Sequence, residues 1–228
     1  MKTTIIILTA IACLLPALPS YSNNSQGRDR ERGRGAGRGS CDLAVAQSTP
    51  QEELMPLVPE KGDTQVTSVT PSFWFYSPYI PTTSLAARFT LRDENGQLVG
   101  TPTIVNLPKA PGIFSVQVTQ PLKQGATYRW YFSVECNADR PARNPLVKGA
   151  VKVIDPGNKL SSSLKKSSSP VQTAEIYRQA GFWNDALTIL ANQQQKDADA
   201  RTAWIELLKA EKLDEFTSKP VLNCCTGQ

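Results

Sequence analysis

The run from Thr127 to Cys136 constrains this chain more than any other segment. Tyr128, Trp130, Phe132, Val134 and Cys136 fall on one face of an extended backbone, and Thr127, Arg129, Tyr131, Ser133 and Glu135 fall on the other. Such a period of two fits a half-buried strand and no helix. A strand with one apolar face needs neighbours at its edges and a second layer over that face. The chain supplies candidates. Phe114, Val116 and Val118 alternate with Ser115 and Gln117, Phe89 and Leu91 alternate with Arg88, Thr90 and Arg92, and Val151 and Val153 flank an outward Lys152. Asn95-Gly96, Pro111-Gly112, Lys123 to Gly125 and Pro156-Gly157 punctuate these runs as turns. The spacing predicts an antiparallel β-sandwich over residues 41–157.

Leu122, Gly125, Tyr128 and Trp130 read L-x-x-G-x-x-Y-x-W at the entry to the strongest strand. This resembles the tyrosine corner of immunoglobulin and fibronectin type III sandwiches, where the Tyr hydroxyl bonds back to the preceding backbone. Tyr128 is therefore expected to be structural. The segment Pro71 to Tyr79 is denser in aromatics: Phe73 and Phe75 take one face of an extended strand, Trp74 and Tyr76 the other, and Tyr79 follows Pro78. Two aromatic faces imply either a strand covered on both sides, with helices as the second cover, or a strand that offers one face to a sugar or peptide. On the second reading the contacts are Trp74, Tyr76 and Tyr79, joined by the outward Arg129 and Tyr131.

Beyond residue 157 the period changes. Residues 158–169 are rich in Ser and Lys and read as a linker. Ser169, Pro170 and Gln172 give a helix start, Gly181 a stop, and Trp183, Leu187 and Leu190 a second amphipathic helix. Trp204, Leu207 and Leu208 mark a third, so 170–215 is expected to be helical and 216–228 a tail. The order Tyr177, Gly181, Trp183, Ala186, Leu187, Leu190 resembles one tetratricopeptide-type helix pair. A single pair cannot bury a sufficient core alone, so it is expected to dock on the sandwich.

The amino terminus reads as a secretory signal peptide over residues 1–22. Lys2 gives the positive end, Ile5 to Leu15 the short apolar run, and Ser20 and Ser22 the small residues before a cut at Asn23. The run is too short to span a bilayer as a helix. A retained anchor is the alternative, and Cys13 lies in a poor setting for lipidation. Export puts the chain in a periplasmic or extracellular, oxidising space. Cys41 and Cys136 are then the preferred disulfide, because one opens the ordered chain and the other ends its best strand. Cys224 and Cys225 pair with each other, link two chains or stay free. No metal-ligand spacing is present and no cofactor is implied.

Charge and composition narrow the function. The net charge is +5 and there is no His. Of that surplus Lys2 carries one charge, and Arg28, Arg30, Arg32, Arg34 and Arg38 carry three against Asp29 and Glu31, which leaves the rest of the chain near neutral. Residues 23–40 are an aromatic-free Gly/Arg tract behind a leader, expected to be disordered, so nucleic acid is not the expected partner. The tract could instead touch acidic envelope polymers or anionic lipid. Without His there is no Ser-His or Cys-His couple and no HExxH zinc site. Asp93, Glu94, Glu135, Asp139 and Asp185 are the acid-base candidates, and none has a second carboxylate at a recognisable spacing.

Several segments together resemble a cyanobacterial secreted family known only as domain of unknown function 928. They are Arg38-Gly39-Ser40-Cys41, Leu57-Val58-Pro59, Pro71 to Tyr76 with Pro78-Tyr79, Leu122 to Cys136, and Ala180-Gly181-Phe182-Trp183-Asn184-Asp185-Ala186-Leu187 within Tyr177 to Leu190. The resemblance implies export, a β region followed by helices, and no assigned activity or site residue. Ala150 stands after Gly149 where the resemblance leads one to expect an aromatic. The expected function is a non-catalytic binding module of the envelope, its partner a protein or an envelope polymer. A structural envelope component tethered by the Gly/Arg tract, and a carboxylate-dependent hydrolase, are the alternatives.

Overall fold

The computed structural model describes residues 44–45, 53–60, 64–81 and 85–222. The leader, the Gly/Arg tract, Cys13, Cys41, Cys224 and Cys225 lie outside the described residues. Ten strands come first: β1 Ala44–Val45, β2 Met55–Pro56, β3 Thr64–Val66, β4 Ser72–Ser77, β5 Tyr79–Ile80, β6 Ala86–Arg92, β7 Thr103–Asn106, β8 Gly112–Gln117, β9 Thr127–Val134 and β10 Leu146–Val153. Four helices follow: α1 Gly157–Lys165, α2 Pro170–Gln179, α3 Trp183–Gln193 and α4 Ala198–Ala210.

One sheet has five strands in the order β3-β10-β9-β6-β7, and a second has three in the order β2-β4-β8. β1 and β5 form a separate antiparallel pair. The strongly alternating strand, β9, is central: Phe132 is in register with Phe89 of β6 and with Val147 of β10. The two sheets face each other across a core of Phe73, Phe75, Phe114, Phe89, Trp130 and Phe132. Phe75 stacks on Phe132 at 4.4 Å and meets Trp130 edge-on at 5.6 Å, so the two layers interlock through aromatic rings. The sheets are antiparallel except at one edge, where β3 runs parallel to β10. A short strand placed by the chain's first pass, before any hairpin forms, can take that direction because a long connection separates it from its neighbour.

The Tyr128 hydroxyl accepts a hydrogen bond from the Lys123 amide at 2.9 Å, five residues back. This is the back-bond expected of Tyr128, and it pins the turn that feeds β9.

The three-stranded sheet is covered on both sides. Trp74, Tyr76 and Ile113 point away from the first core into a second, which they share with Leu187, Leu190, Trp204, Leu208 and Phe216. The result is three layers: sheet, sheet, helices. Each large side chain buried there contributes about 1.5–3 kcal/mol by area.

The segment expected to be a linker is helix α1, so that expectation is corrected. Leu160 is buried, and Leu164 stands one turn later; Lys159, Ser162 and Lys165 are exposed. The tail is also more ordered than its polar composition suggests. Phe216 lies 5.1 Å from the Tyr76 ring, and Val221 bridges to Ile113 at the edge of β8. α2 starts as its sequence indicates: the Ser169 hydroxyl accepts from the Gln172 amide at 3.2 Å. Gly181, with φ of +85°, makes the turn into α3. No helix among the described residues is long and apolar enough to cross a membrane.

Candidate functional site: the helix–sheet seam and the outward sheet face

The residues singled out as contacts divide into two groups. Trp74, Tyr76 and Tyr79 are 5%, 1% and 7% exposed. They are core residues, and their reading as a binding strip is corrected: the helical layer that folds over β4 covers Trp74 and Tyr76, and Tyr79 of β5 is buried in the core between the sheets. The Trp74 indole N–H donates to Thr188 Oγ1 at 2.9 Å, and Thr188 Oγ1 donates to the Asn184 carbonyl at 2.9 Å. The Lys219 ammonium sits 5.2 Å from the Tyr76 ring centre. Burial, with Glu53 nearby, pushes the Tyr79 hydroxyl up to about 12.

Arg129 and Tyr131 stand elsewhere, on the outward face of the five-stranded sheet. Arg129 is exposed and Tyr131 half-buried. On this face lie also Arg88 and Arg92 of β6 and Lys148 and Lys152 of β10, all exposed. Arg129 is in register with Arg92 on one side and Ala150 on the other, while Tyr131 is in register with Thr90 and Lys148. Arg88 is ion-paired with Glu135. Among the described residues no element packs on this face. The expectation that Arg129 and Tyr131 point outward matches their place on this face; Arg92, Lys148 and Lys152, which share it, were not among the expected contacts. Their signal was available as outward positions of period-two strands, and register alone makes them neighbours.

The seam between sheet and helices holds a cleft of about 210 Å3, lined by Ser68, Pro71, Gln117, Tyr177, Asp185 and Ile189 among others. Asp185 is the one carboxylate in that lining. Its Oδ2 accepts from the Thr67 amide at 3.1 Å and its Oδ1 from the Thr67 hydroxyl at 3.0 Å. Burial raises the Asp185 carboxyl above its ordinary value, against the pull of these hydrogen bonds and of one from Ser68. Beside it, Asn184 Nδ2 donates to the Ser72 carbonyl at 3.0 Å. Asn184 thus holds the first residue of β4 and Asp185 the residue just after β3, as Trp183 and Leu187 pack into the second core.

Of the remaining acid-base candidates, Asp93 and Glu94 also have structural partners. Asp93 Oδ1 accepts from the Asn95 and Gln97 amides at 2.9 and 2.8 Å, closing the Asn95-Gly96 turn. Glu94 Oε1 accepts from the Thr127 amide at 3.2 Å. Asp139 is exposed. Cys136 follows β9 half-buried, its Sγ 3.7 Å from Asn144 Oδ1.

These features define an α+β protein with antiparallel sheets and four helices, three of which supply the core behind one sheet, and its A-G-x-W-x-D-A-L segment fastens the layers together. A protein family of this kind matches residues 33–221, and the chain belongs to it: the family described as Domain of Unknown Function (DUF928). No curated protein matches the chain.

Proposed function

We propose that the protein is an exported, non-catalytic binding module of the cell envelope that works through the outward face of its five-stranded sheet. The observation that carries this reading is that face: it is uncovered among the described residues and crowded with cations on three adjacent strands, whereas the aromatic strand is fully used by the core. The engagement of Asp93, Glu94, Glu135 and Asp185 in structural bonds supports a non-catalytic role, since a general acid or base needs a free path to its substrate. Residues 1–22 act as the leader on this reading.

Three finer features belong to the same proposal. The sheet orders support an immunoglobulin-like topology, with β2, β4 and β8 as strands A, B and E, and β10, β9, β6 and β7 as G, F, C and C′. β3 then acts as a second half of strand A running beside G, and Tyr128 stands near the start of F, where a tyrosine corner belongs. The α2–α3 hairpin is a tetratricopeptide-type pair whose apolar side serves the fold. Cys41 and Cys136 form a disulfide: β1, three residues beyond Cys41, pairs with β5, whose Tyr79 lies in the same core that Cys136 packs against.

The test is made on the protein recovered from the envelope of a cell that produces it. The expected mature chain begins at Asn23 and yields one peptide joining Cys41 and Cys136 under non-reducing digestion. Incubated with polysaccharides, peptidoglycan and peptides, it releases no product. Retention in the cytoplasm with Met1 intact would refute export, and product release abolished by Asp185→Asn would refute the non-catalytic reading.

A further inference from the structure

We infer that the outward sheet face binds a linear, carboxylate-bearing polysaccharide laid across β6, β9 and β10. This deepens the module reading above and rests on it.

The starting point is a pairing that works against folding. Arg92 and Arg129 are direct cross-strand partners, and like charges directly opposite each other destabilise a sheet. Arg92 turns its guanidinium to the Gly96 carbonyl at 2.7 Å, which settles one of the two. Arg129 has Ala150 on its other side, a methyl group where a carboxylate would have relieved it. The next outward residues of β10 on either side of Ala150 are Lys148 and Lys152, both exposed cations. Outside the leader and the Gly/Arg tract the chain is near charge balance, so this clustering is a local choice and not a spill-over from a basic composition. A local departure of this kind, with no gain to the fold, marks a functional surface.

The geometry selects the occupant. Adjacent strands lie about 4.8 Å apart, so the cations form a band across the strands, with Ala150 and the half-buried Tyr131 as its shallow floor. Guanidinium groups suit carboxylates, which they can hold by two parallel hydrogen bonds. Tyr131 offers a ring edge and a hydroxyl to a sugar. A protein partner with an apolar interface centre does not fit, because the centre here is charged. A flat anionic bilayer does not fit either. Glu135 lies beyond one end of β9, and Asp93 and Glu94 lie beyond the opposite end of the face, so a plane of negative headgroups would press on all three. A single chain crossing between them would not.

The experiment uses the full chain with Arg28, Arg30, Arg32, Arg34 and Arg38 changed to Gln in every arm, so that the tract contributes no binding. Probes are polygalacturonate, uncharged dextran, and vesicles of phosphatidylglycerol, followed by calorimetry and co-sedimentation. Polygalacturonate is expected to bind, to weaken as salt screens the contact, and to weaken by about ten-fold or more in Arg129→Glu/Lys148→Glu. Arg129→Lys/Lys148→Arg is expected to retain it, and dextran not to bind. Because Arg129→Glu places opposite charges against Arg92, its thermal midpoint is expected to hold or rise, which separates lost binding from lost fold. Equal affinity in the charge-reversed variant, or binding to the vesicles without binding to polygalacturonate, overturns the inference. In either event the module reading survives as long as no polymer is cleaved. Cleavage of polygalacturonate by the parent chain refutes that reading, and the reversed variant then still decides whether this face holds the polymer.

Discussion

Gly149 shows how closely single residues are specified in the first core. A Cβ built on it would lie 2.4 Å from Trp130 Cζ2 and 2.7 Å from Cε2. The indole has no easy retreat, because Phe73 and Phe75 hold it at ring distances of 5.8 and 5.6 Å. Gly149 is therefore required for the close approach of β10 to the Trp130 ring. Gly149→Ala is expected to destabilise the protein by about 1–3 kcal/mol, the usual cost of overpacking a core. Trp130→Phe removes the part of the ring that the new methyl would strike. It also removes an indole N–H that is buried without a partner among the described residues, and so forfeits less than a satisfied indole would. The double variant should recover part of the Gly149→Ala loss. A double-mutant cycle read by urea denaturation checks this, and strictly additive losses would show that the contact is not the cause.

At the scale of elements, the A-G-x-W-x-D-A-L segment is a fastener. Its Asp185 binds Thr67, its Asn184 binds Ser72, and its Trp183 and Leu187 fill the second core. The carboxyl of Asp185 is raised by burial, so the folded state holds its proton more tightly than the unfolded state does. The stability it contributes is therefore complete below the ordinary carboxylate value and is lost as pH rises through the folded value. Asp185→Asn cannot titrate. The stability of the parent relative to this variant is expected to fall as pH rises from below the ordinary carboxylate value through the raised folded value, measured as paired denaturation midpoints. A difference that rises with pH would mean that the Thr67 and Ser68 bonds outweigh burial. Sequence pattern reached much of this layer. The strands β6, β8, β9 and β10 were legible because apolar and polar residues alternate along them, β4 because of its dense aromatic run closed by Pro78, and α2 because Ser169, Pro170 and Gln172 announce its start. α1 was not, since Leu160 and Leu164 are only two apolar residues among Ser and Lys. β3 beside β10 was not either, because a three-residue strand carries no period and its parallel pairing is set by the whole sheet. Trp74 and Tyr76 allowed two readings from sequence, buried or binding, because alternation gives the face of a side chain and not what covers that face.

At the scale of the molecule, β4 couples the two cores. Phe73 and Phe75 belong to one, Trp74 and Tyr76 to the other, and they alternate along a single strand in register with β8. Neither layer can leave without stripping apolar side chains from the strand the other depends on. The helices are thus expected to be part of one folding unit with the sheets, although composition alone would divide the chain near residue 157. A chain ending at Asp155 would bare Trp74, Tyr76 and Ile113 together, along with the Ile113 amide that now donates to the Pro220 carbonyl at 2.8 Å. Each of those side chains loses about 1.5–3 kcal/mol of burial, against a total stability of about 5–15 kcal/mol for a protein domain. The truncated chain is expected to bind a hydrophobic dye, to lose its near-ultraviolet aromatic signal and to aggregate, while the intact chain unfolds in one transition by both fluorescence and circular dichroism. A soluble truncated chain with the parent's near-ultraviolet spectrum and thermal midpoint would show that the sheets fold by themselves and that the helical layer is an addition, in which case the burial of Trp74 and Tyr76 would have to be counted as an interface between two domains.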